Sequence, residues 1–327
     1  MVLNLLLLIL GLVVLIGGGD VLVRGASALA RNFGVPPLVI GLTVVAFGTS
    51  APELSVNLMA AAEGNTDISF GNIIGSNIAN IGLIIGISAL MRPIAVQSGL
   101  IFREIPMMVL ASLVILVTGM DEFLRQAPDM FDRSDGLILL LIFCVFVYST
   151  IGDIFRDKPK DPSLEKMQEL SGRRGFTRVL ANLFLFAAGL VLLVLGGKLT
   201  VSGAVGAAQI LQVPRAVIAL TIIAVGTSLP ELVTSVVALW KGHTDIAIGN
   251  VVGSNIFNLL FITGLTATWT PVSVPVTGGG QDLAMMVFLS LFLLPVCVTD
   301  RKRIVRWEGA LLLSLYLGYG AWRVLSG

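Results

Sequence analysis

The sequence predicts an all-α polytopic membrane protein: ten transmembrane helices in two inverted five-helix repeats, each repeat holding kinked or broken motif helices. Three observations carry that reading. The chain of 327 residues is 56% hydrophobic and only 13% charged, about half the charged share of a globular domain. Its apolar runs recur and are long enough to cross a bilayer, at about 20 residues each. Its second half repeats the first at a constant offset, with Glu231 lying 178 residues after Glu53.

The apolar segments run over 2–29, 36–62, 68–90, 104–120, 135–154, 178–205, 214–240, 246–268, 282–299 and 306–325. The first begins with Leu3–Ile16, which has the look of a secretory leader. It lacks a basic n-region, and Gly17–Asp20 followed by Arg24 is a poor cleavage site, so it reads as the first transmembrane helix. Loops are short apart from 156–177, which is rich in charge and contains Pro159 and Pro162. That stretch reads as the linker between a first repeat, 1–155, and a second, 178–327.

With the linker on the cytoplasmic side, that side collects Arg24, Arg31, Arg92, Arg103, Arg178, Lys241 and the basic tract 301–306. The opposite side keeps Arg125, Arg133, Lys198, Arg215 and Arg323, the first two diluted by Asp121, Glu122, Asp129 and Asp132. The positive-inside rule then predicts an inner-membrane, multi-pass chain with a cytoplasmic linker and both termini outside. Each repeat holds five helices, an odd number, so the second must enter the membrane the opposite way round. Gly18, Gly19 and Gly25 match Gly196, Gly197 and Gly203, and Val35-Pro36 matches Val213-Pro214. From Thr43 to Leu90 about half the positions are identical to their counterparts. Inverted repeats of this kind place a binding site near the midplane where the halves meet.

Within the second apolar segment lies Thr43–Asn57, TVVAFGTSAPELSVN, and it returns in the seventh as Thr221–Ser235, TIIAVGTSLPELVTS. Each copy sets a glutamate, Glu53 or Glu231, at bilayer depth, where a carboxylate is costly and marks a functional site by default. Pro52 and Pro230 directly precede them. Proline offers no N–H to the carbonyl four residues back and its ring clashes with it, so both helices should kink or break there and free backbone oxygens. Thr49 and Glu53 are four apart, as are Thr227 and Glu231, so hydroxyl and carboxylate share a helix face. Hard oxygen donors gathered in this way suit sodium and calcium. A lone proline in a membrane helix is usually only a kink, and a lone buried glutamate often just pairs with a neighbour. The repetition of the whole pattern favours a cation site.

The third and eighth segments carry GNIIGSNIAN (Gly71–Asn80) and GNVVGSNIFN (Gly249–Asn258). Ser76 and Asn80 are four apart, as are Ser254 and Asn258, offering neutral oxygens on one face. Small residues at this spacing and asparagines also pack helices together. Beside the glutamate motif, ligation is the favoured reading.

GTSxPE followed by GNxxGSNxxN, present twice in a ten-segment chain, resembles the calcium/cation antiporter superfamily, and within it the prokaryotic sodium/calcium exchangers and YrbG-type inner-membrane proteins. The resemblance covers essentially the whole chain. It implies Glu53 and Glu231 as shared carboxylate ligands, with Thr49 and Thr227 completing a calcium site. It implies Ser50, Ser228, Ser76 and Ser254, with the carbonyls of Ala46 and Ala224, at flanking sodium sites, and Asn80 and Asn258 at the centre. It also implies that the first and sixth helices slide against the motif helices. Some members carry an aspartate in the last pair; here both are asparagine, leaving two formal negative charges. Asn57 faces Ser235 in the alignment, so the halves are not chemically equal.

The function implied is exchange of calcium for sodium by alternating access, with a proton-coupled calcium or divalent-cation antiporter, potassium involvement included, as the alternative. A channel or a scaffold with a structural ion would need neither inverted halves nor a glutamate in each. No nucleophile–base pair, His/Cys cluster or phosphate loop suggests an enzyme or a cofactor. Cys144 and Cys297 both lie in apolar runs, so no disulfide framework is expected. The expected partners are the ions and the lipid bilayer, with no nucleic acid, and a monomer is expected to suffice. Asp20 reads as helix-end solvation. Asp67 and Asp245 read as dipole-complementing residues that open helices. His243 reads as a solvated turn residue, and the tract 301–306 as a topology anchor.

Overall fold

A computed structural model describes residues 1–156, 176–211 and 224–326. All but the ends of the 156–177 linker lies outside the described residues, as do Val213, Pro214, Arg215 and Thr221–Ile223. The helices are α1 (Val2–Phe33), α2 (Pro37–Thr49), α3 (Ala51–Ala62), α4 (Thr66–Met91), α5 (Leu100–Thr118), the short α6 (Asp121–Arg125) and α7 (Arg133–Arg156). The second half contributes α8 (Phe176–Ile210), α9 (Ala224–Thr227), α10 (Leu229–Trp240), α11 (Thr244–Trp269), α12 (Gly279–Lys302) and α13 (Arg306–Ser326).

Among the described residues, seven helices are long and apolar enough to cross a membrane, or eight when the bent pair α2–α3 counts as one span. Tight turns follow the chain's own punctuation. α1 ends on Gly34 at φ 65°, and Gly64 and Gly242, at φ 75° and 80°, close the ends of α3 and α10. These left-handed positions suit glycine, which has no Cβ to clash.

Burial sorts the helices into layers. The apolar stretch of α11 is 94% buried and that of α4 is 78% buried, whereas α1 and α8 reach only 33% and 22%. So α4 and α11 form the centre, and α1 and α8 lie on the flank with Leu6, Ile9, Phe184 and Val191 turned outward. Exposed aliphatic surface of this extent belongs against lipid rather than water. Both central helices pass through a π-helical stretch, Asn80–Ile85 in α4 and Phe257–Ile262 in α11. Each stretch includes the last asparagine of its motif. Such single-turn bulges re-aim side chains and are frequent at functional sites.

Helices α1 and α8 pack along almost their whole length through glycine. Gly18 lies on Leu193 and Gly196 on Leu15; Gly25 lies on Phe186 and Gly203 on Leu8; Gly11 lies on Thr200 and Gly189 on Leu22. A Cβ at any of these six would come within 2.8 Å of the opposing backbone. The two helices therefore run antiparallel, and each of these contacts occurs twice with the halves exchanged. Small residues permit this approach in the absence of a hydrophobic driving force between helices.

The all-helical expectation needs one addition. Four two-residue strands form two antiparallel clasps between the halves: Ile94–Ala95 with Arg303–Ile304, and Met130–Phe131 with Val272–Ser273.

Candidate cation site

The motif glutamates owe their position to two matching breaks. α2 ends at Thr49; Ser50, at φ −84° and ψ 7°, leaves the helix; and α3 restarts at Ala51 with Pro52 in its first turn. The two axes meet at 42°. In the second half α9 ends at Thr227, Ser228 sits at φ −86° and ψ 4°, and α10 restarts with Pro230 in its first turn. The break expected from each proline is present in each copy. Glu53 and Glu231 consequently occupy the first turns of α3 and α10, where unpaired N–H groups favour negative charge.

Hydrogen bonds tie the halves together in exchanged pairs. The Thr49 hydroxyl donates to Asn250 Oδ1 at 3.1 Å, and the Thr227 hydroxyl donates to Asn72 Oδ1 at 3.2 Å. Asn72 Nδ2 donates to the Glu53 carbonyl, and Asn250 Nδ2 to the Glu231 carbonyl, both at 3.4 Å. Each asparagine thus links the threonine of one motif to the glutamate backbone of the other. Asn57 supports the first copy, donating to the Glu53 carbonyl at 2.7 Å and accepting from Ser69 at 2.7 Å. Its counterpart Ser235 accepts from Asn250 at 3.1 Å and donates to the Ala247 carbonyl at 3.3 Å. The chemical inequality of Asn57 and Ser235 is absorbed by this outer layer.

Across the interface, Ser50 donates to Glu231 Oε1 at 3.0 Å. Thr227 and Ser228 lie alongside Glu53. Asn80 Nδ2 donates to Asn255 Oδ1 at 3.1 Å, joining α4 to α11. The Ala46 carbonyl accepts the Ser50 N–H at 3.0 Å and lies 3.3 Å from the Thr49 hydroxyl. With that hydroxyl given to Asn250, one Ala46 lone pair stays available. Ala224 opens α9 with its backbone placed one turn before Ser228.

What remains is a set of buried oxygens with no donor among the described residues. Both oxygens of Glu53, Glu231 Oε2, Asn80 Oδ1, Asn258 Oδ1 and the hydroxyls of Ser76, Ser228 and Ser254 belong to it. All eight of Thr49, Ser50, Glu53, Ser76, Asn80, Ser228, Glu231 and Asn258 are at most 2% exposed. Buried polar atoms are nearly always hydrogen-bonded, and a buried carboxylate without a donor costs most of all. A hard cation is the group that satisfies such a set, since it needs oxygens and no donors. The structure therefore gathers Thr49, Ser50, Glu53, Thr227, Ser228 and Glu231 at one place. It brings Asn80 and Asn258 to the π-helical turns of the central helices.

Asn72, Asn250 and Asn255 were not among the residues expected from sequence. The signal was there for the first two: each lies four residues before the motif serine, on the same helix face.

Two matching breaks, two buried carboxylates and a central pair of oxygen-lined helices are features that a membrane cation transporter would need. The comparison with known proteins gives the family: the profile described as "Sodium/calcium exchanger protein" matches residues 3–152 and 181–325. The chain belongs to the sodium/calcium exchanger family, whose members are membrane antiporters. It is 39% identical over 293 residues to the "Putative antiporter CaxA" of Alkalimonas amylolytica, covering 89% of each chain. It is 36% identical to the "Inner membrane protein YrbG" of Escherichia coli, covering 88% of this chain and 86% of that one. A solved structure of the sodium-calcium exchanger NCX_Mj superposes with a TM-score of 0.82 at 32% identity, covering 98% of both chains.

Proposed function

We propose that this protein is a secondary active transporter that exchanges calcium for sodium across the cytoplasmic membrane by alternating access. The carrying observation is the cluster of donor-less buried oxygens around Glu53 and Glu231. Two carboxylates in low dielectric resist the rearrangement that would carry an empty site across the membrane, and bound cations offset that cost. Calcium and sodium compete for the same oxygens, so loading on one side is coupled to release on the other. Glu53, Glu231, Thr49 and Thr227 are the calcium ligands in this reading. Ser50, Ser228, Ser76, Ser254 and the Ala46 and Ala224 carbonyls serve sodium, with Asn80 and Asn258 closing the centre.

Ten spans in two inverted repeats, with the 156–177 linker cytoplasmic and both termini outside, complete the proposal. The antiparallel run of α1 against α8 and the exchanged hydrogen bonds support the inversion; the charge distribution supports the orientation. A single chain contains the whole site, which supports a functional monomer. Proton coupling is the second reading, favoured by the two asparagines at the centre: with only two carboxylates, protons alone can discharge the site.

The test is calcium uptake into proteoliposomes loaded with sodium, with a pH gradient as the parallel arm. Uptake that follows the sodium gradient alone supports the proposal. Uptake that follows only the proton gradient replaces it with the second reading, and calcium flux independent of both gradients removes exchange altogether.

A further inference from the structure

A cavity of about 480 Å³ opens beside the site, walled by Pro52, Ser55 and Met59 of α3, Lys198 of α8, Thr227 and Pro230. It touches the residue before each glutamate. The equivalent place in the other half lies between α10 and α1, and there the helices are in contact. A Cβ on Gly19 would lie 3.0 Å from Val233 and 3.5 Å from Val237 of α10. Gly197, the counterpart of Gly19, meets only Leu15 at 3.7 Å and Pro230 at 4.0 Å. Burial repeats the contrast, for Val237 is 6% exposed and its counterpart Met59 is 64% exposed. One side of the site is shut and the other stands open.

The shut side carries an ion pair. Asp20 of α1 binds Lys241, the residue that caps α10, and also Arg24 at 2.7 Å. In the repeat Asp20 corresponds to Lys198 and Lys241 corresponds to Glu63, the residue that caps α3. The open side thus holds the same pair with its charges exchanged. Ser55, Met59 and Glu63 follow one another at four-residue spacing, so Glu63 continues the α3 face that lines the cavity. Lys198 lines the facing wall, while Glu63 accepts a hydrogen bond from Asn65 at 3.3 Å.

We propose that Asp20–Lys241 and Lys198–Glu63 are alternating latches: the first holds one side shut in the conformation described here, and the second forms when the α1–α8 pair rocks across and shuts the other. The inference rests on the alternating-access reading above. An ion pair that exists only while its helices touch stabilises one conformation and not its opposite, which biases the equilibrium between them. Solvent-accessible pairs of this kind shift such an equilibrium by about twofold to fivefold each. Asp20 has two cationic partners. Arg24 lies on α1 with Asp20, so that pair persists in either conformation and only Lys241 makes the latch.

The test uses the full chain in proteoliposomes with both native cysteines replaced, C144S/C297S. Oxidation should cross-link D20C/K241C, whose positions touch here, and also E63C/K198C, whose positions meet only when the cavity closes. Each link should stop exchange until it is reduced. Without cysteines, K198E should lower exchange about threefold or more, and the charge swap E63K/K198E should restore it to within about twofold of the starting protein. Failure of E63C/K198C to link under any mixture of sodium and calcium, or a swap no faster than K198E, overturns the latches. If both pairs link in a protein that shows no sodium-driven calcium flux, the proposed exchange falls and the latches stand.

Discussion

Glu53→Gln should separate the stability of the cation-free protein from its response to calcium. Both Glu53 oxygens are buried without a donor among the described residues, and the residue is 1% exposed. Neutralising it removes the cost of a buried ion, so the cation-free variant should melt no lower than the wild type. With calcium the order reverses. At a calcium concentration 100 times Kd, one bound ion stabilises the wild type by about 2.7 kcal/mol. Losing a contact to a charged group costs about 1.5–3 kcal/mol, which weakens binding about 10- to 150-fold. At the same calcium concentration the variant then gains only about 0.3–1.4 kcal/mol. Melting curves followed by tryptophan fluorescence, with and without calcium, read both effects in one experiment. A variant that keeps the full calcium-induced rise refutes the ligand role. One that melts far below wild type without calcium shows instead that Glu53 holds the fold together.

The exchanged hydrogen bonds make a paired prediction: Asn72→Ala and Asn250→Ala should each destabilise by about 1–3 kcal/mol by removing one hydrogen bond to a threonine hydroxyl and one to a glutamate carbonyl. Asn250→Ala should be the worse, since it also loses Ser235; equal and negligible effects on melting and calcium affinity would contradict the bridging role. Among the described residues neither amide atom of Asn258 has a partner and no group of three His, Cys, Asp or Glu side chains exists, so Asn258→Asp adds a third carboxylate to the centre. Calcium affinity should rise about tenfold or more while the cation-free protein melts lower, and parallel changes in titration and melting would count against it. His243 is held below its ordinary value of 6.5 by burial, with repulsion from Arg31 and Lys241 adding to it. The unfolded chain therefore takes up the proton first, so stability is steady above about pH 6.5 and falls as pH drops from there through the folded value. His243→Gln should flatten that part of a melting-against-pH curve, and an unchanged slope would assign it to other groups.

The local chemistry around the two glutamates was legible in the sequence. A proline followed by a glutamate in an apolar run announces both the break and the costly charge, but the four-residue spacing of Thr49 and Glu53 does not make one helix face, since the chain leaves the helix at Ser50 and Thr49 bonds Asn250 of the other half. Partners across the interface were not legible in this way. Nothing along the chain says that Ser50 turns to Glu231 or that Asn72 reaches Thr227, because those contacts depend on how the halves dock. The strand clasps were missed for a related reason: two residues such as Ile94–Ala95 are too few to show alternation, and their pairing is set by helix ends. Asp20 read as a solvated helix end and proved to be paired with Arg24 and Lys241. Gly19 and Gly197 look alike in sequence, and only the packing of the folded chain distinguishes the closed side from the open one.

The glycine contacts between α1 and α8 have the form of an isologous interface, in which residue i meets j and the counterpart of j meets the counterpart of i. Two separate copies of one short protein meet in that way. Here a single chain meets itself, and the consequence is that a lesion at any of these six glycines has a twin. Filling Gly25 against Phe186 strains one end of the seam, and filling Gly203 against Leu8 strains the other by the same geometry. Ancestry by duplication and fusion would leave this signature: an interface that could once have joined two identical partners, now confined within one molecule whose halves were free to diverge into an aspartate on one side and a lysine on the other.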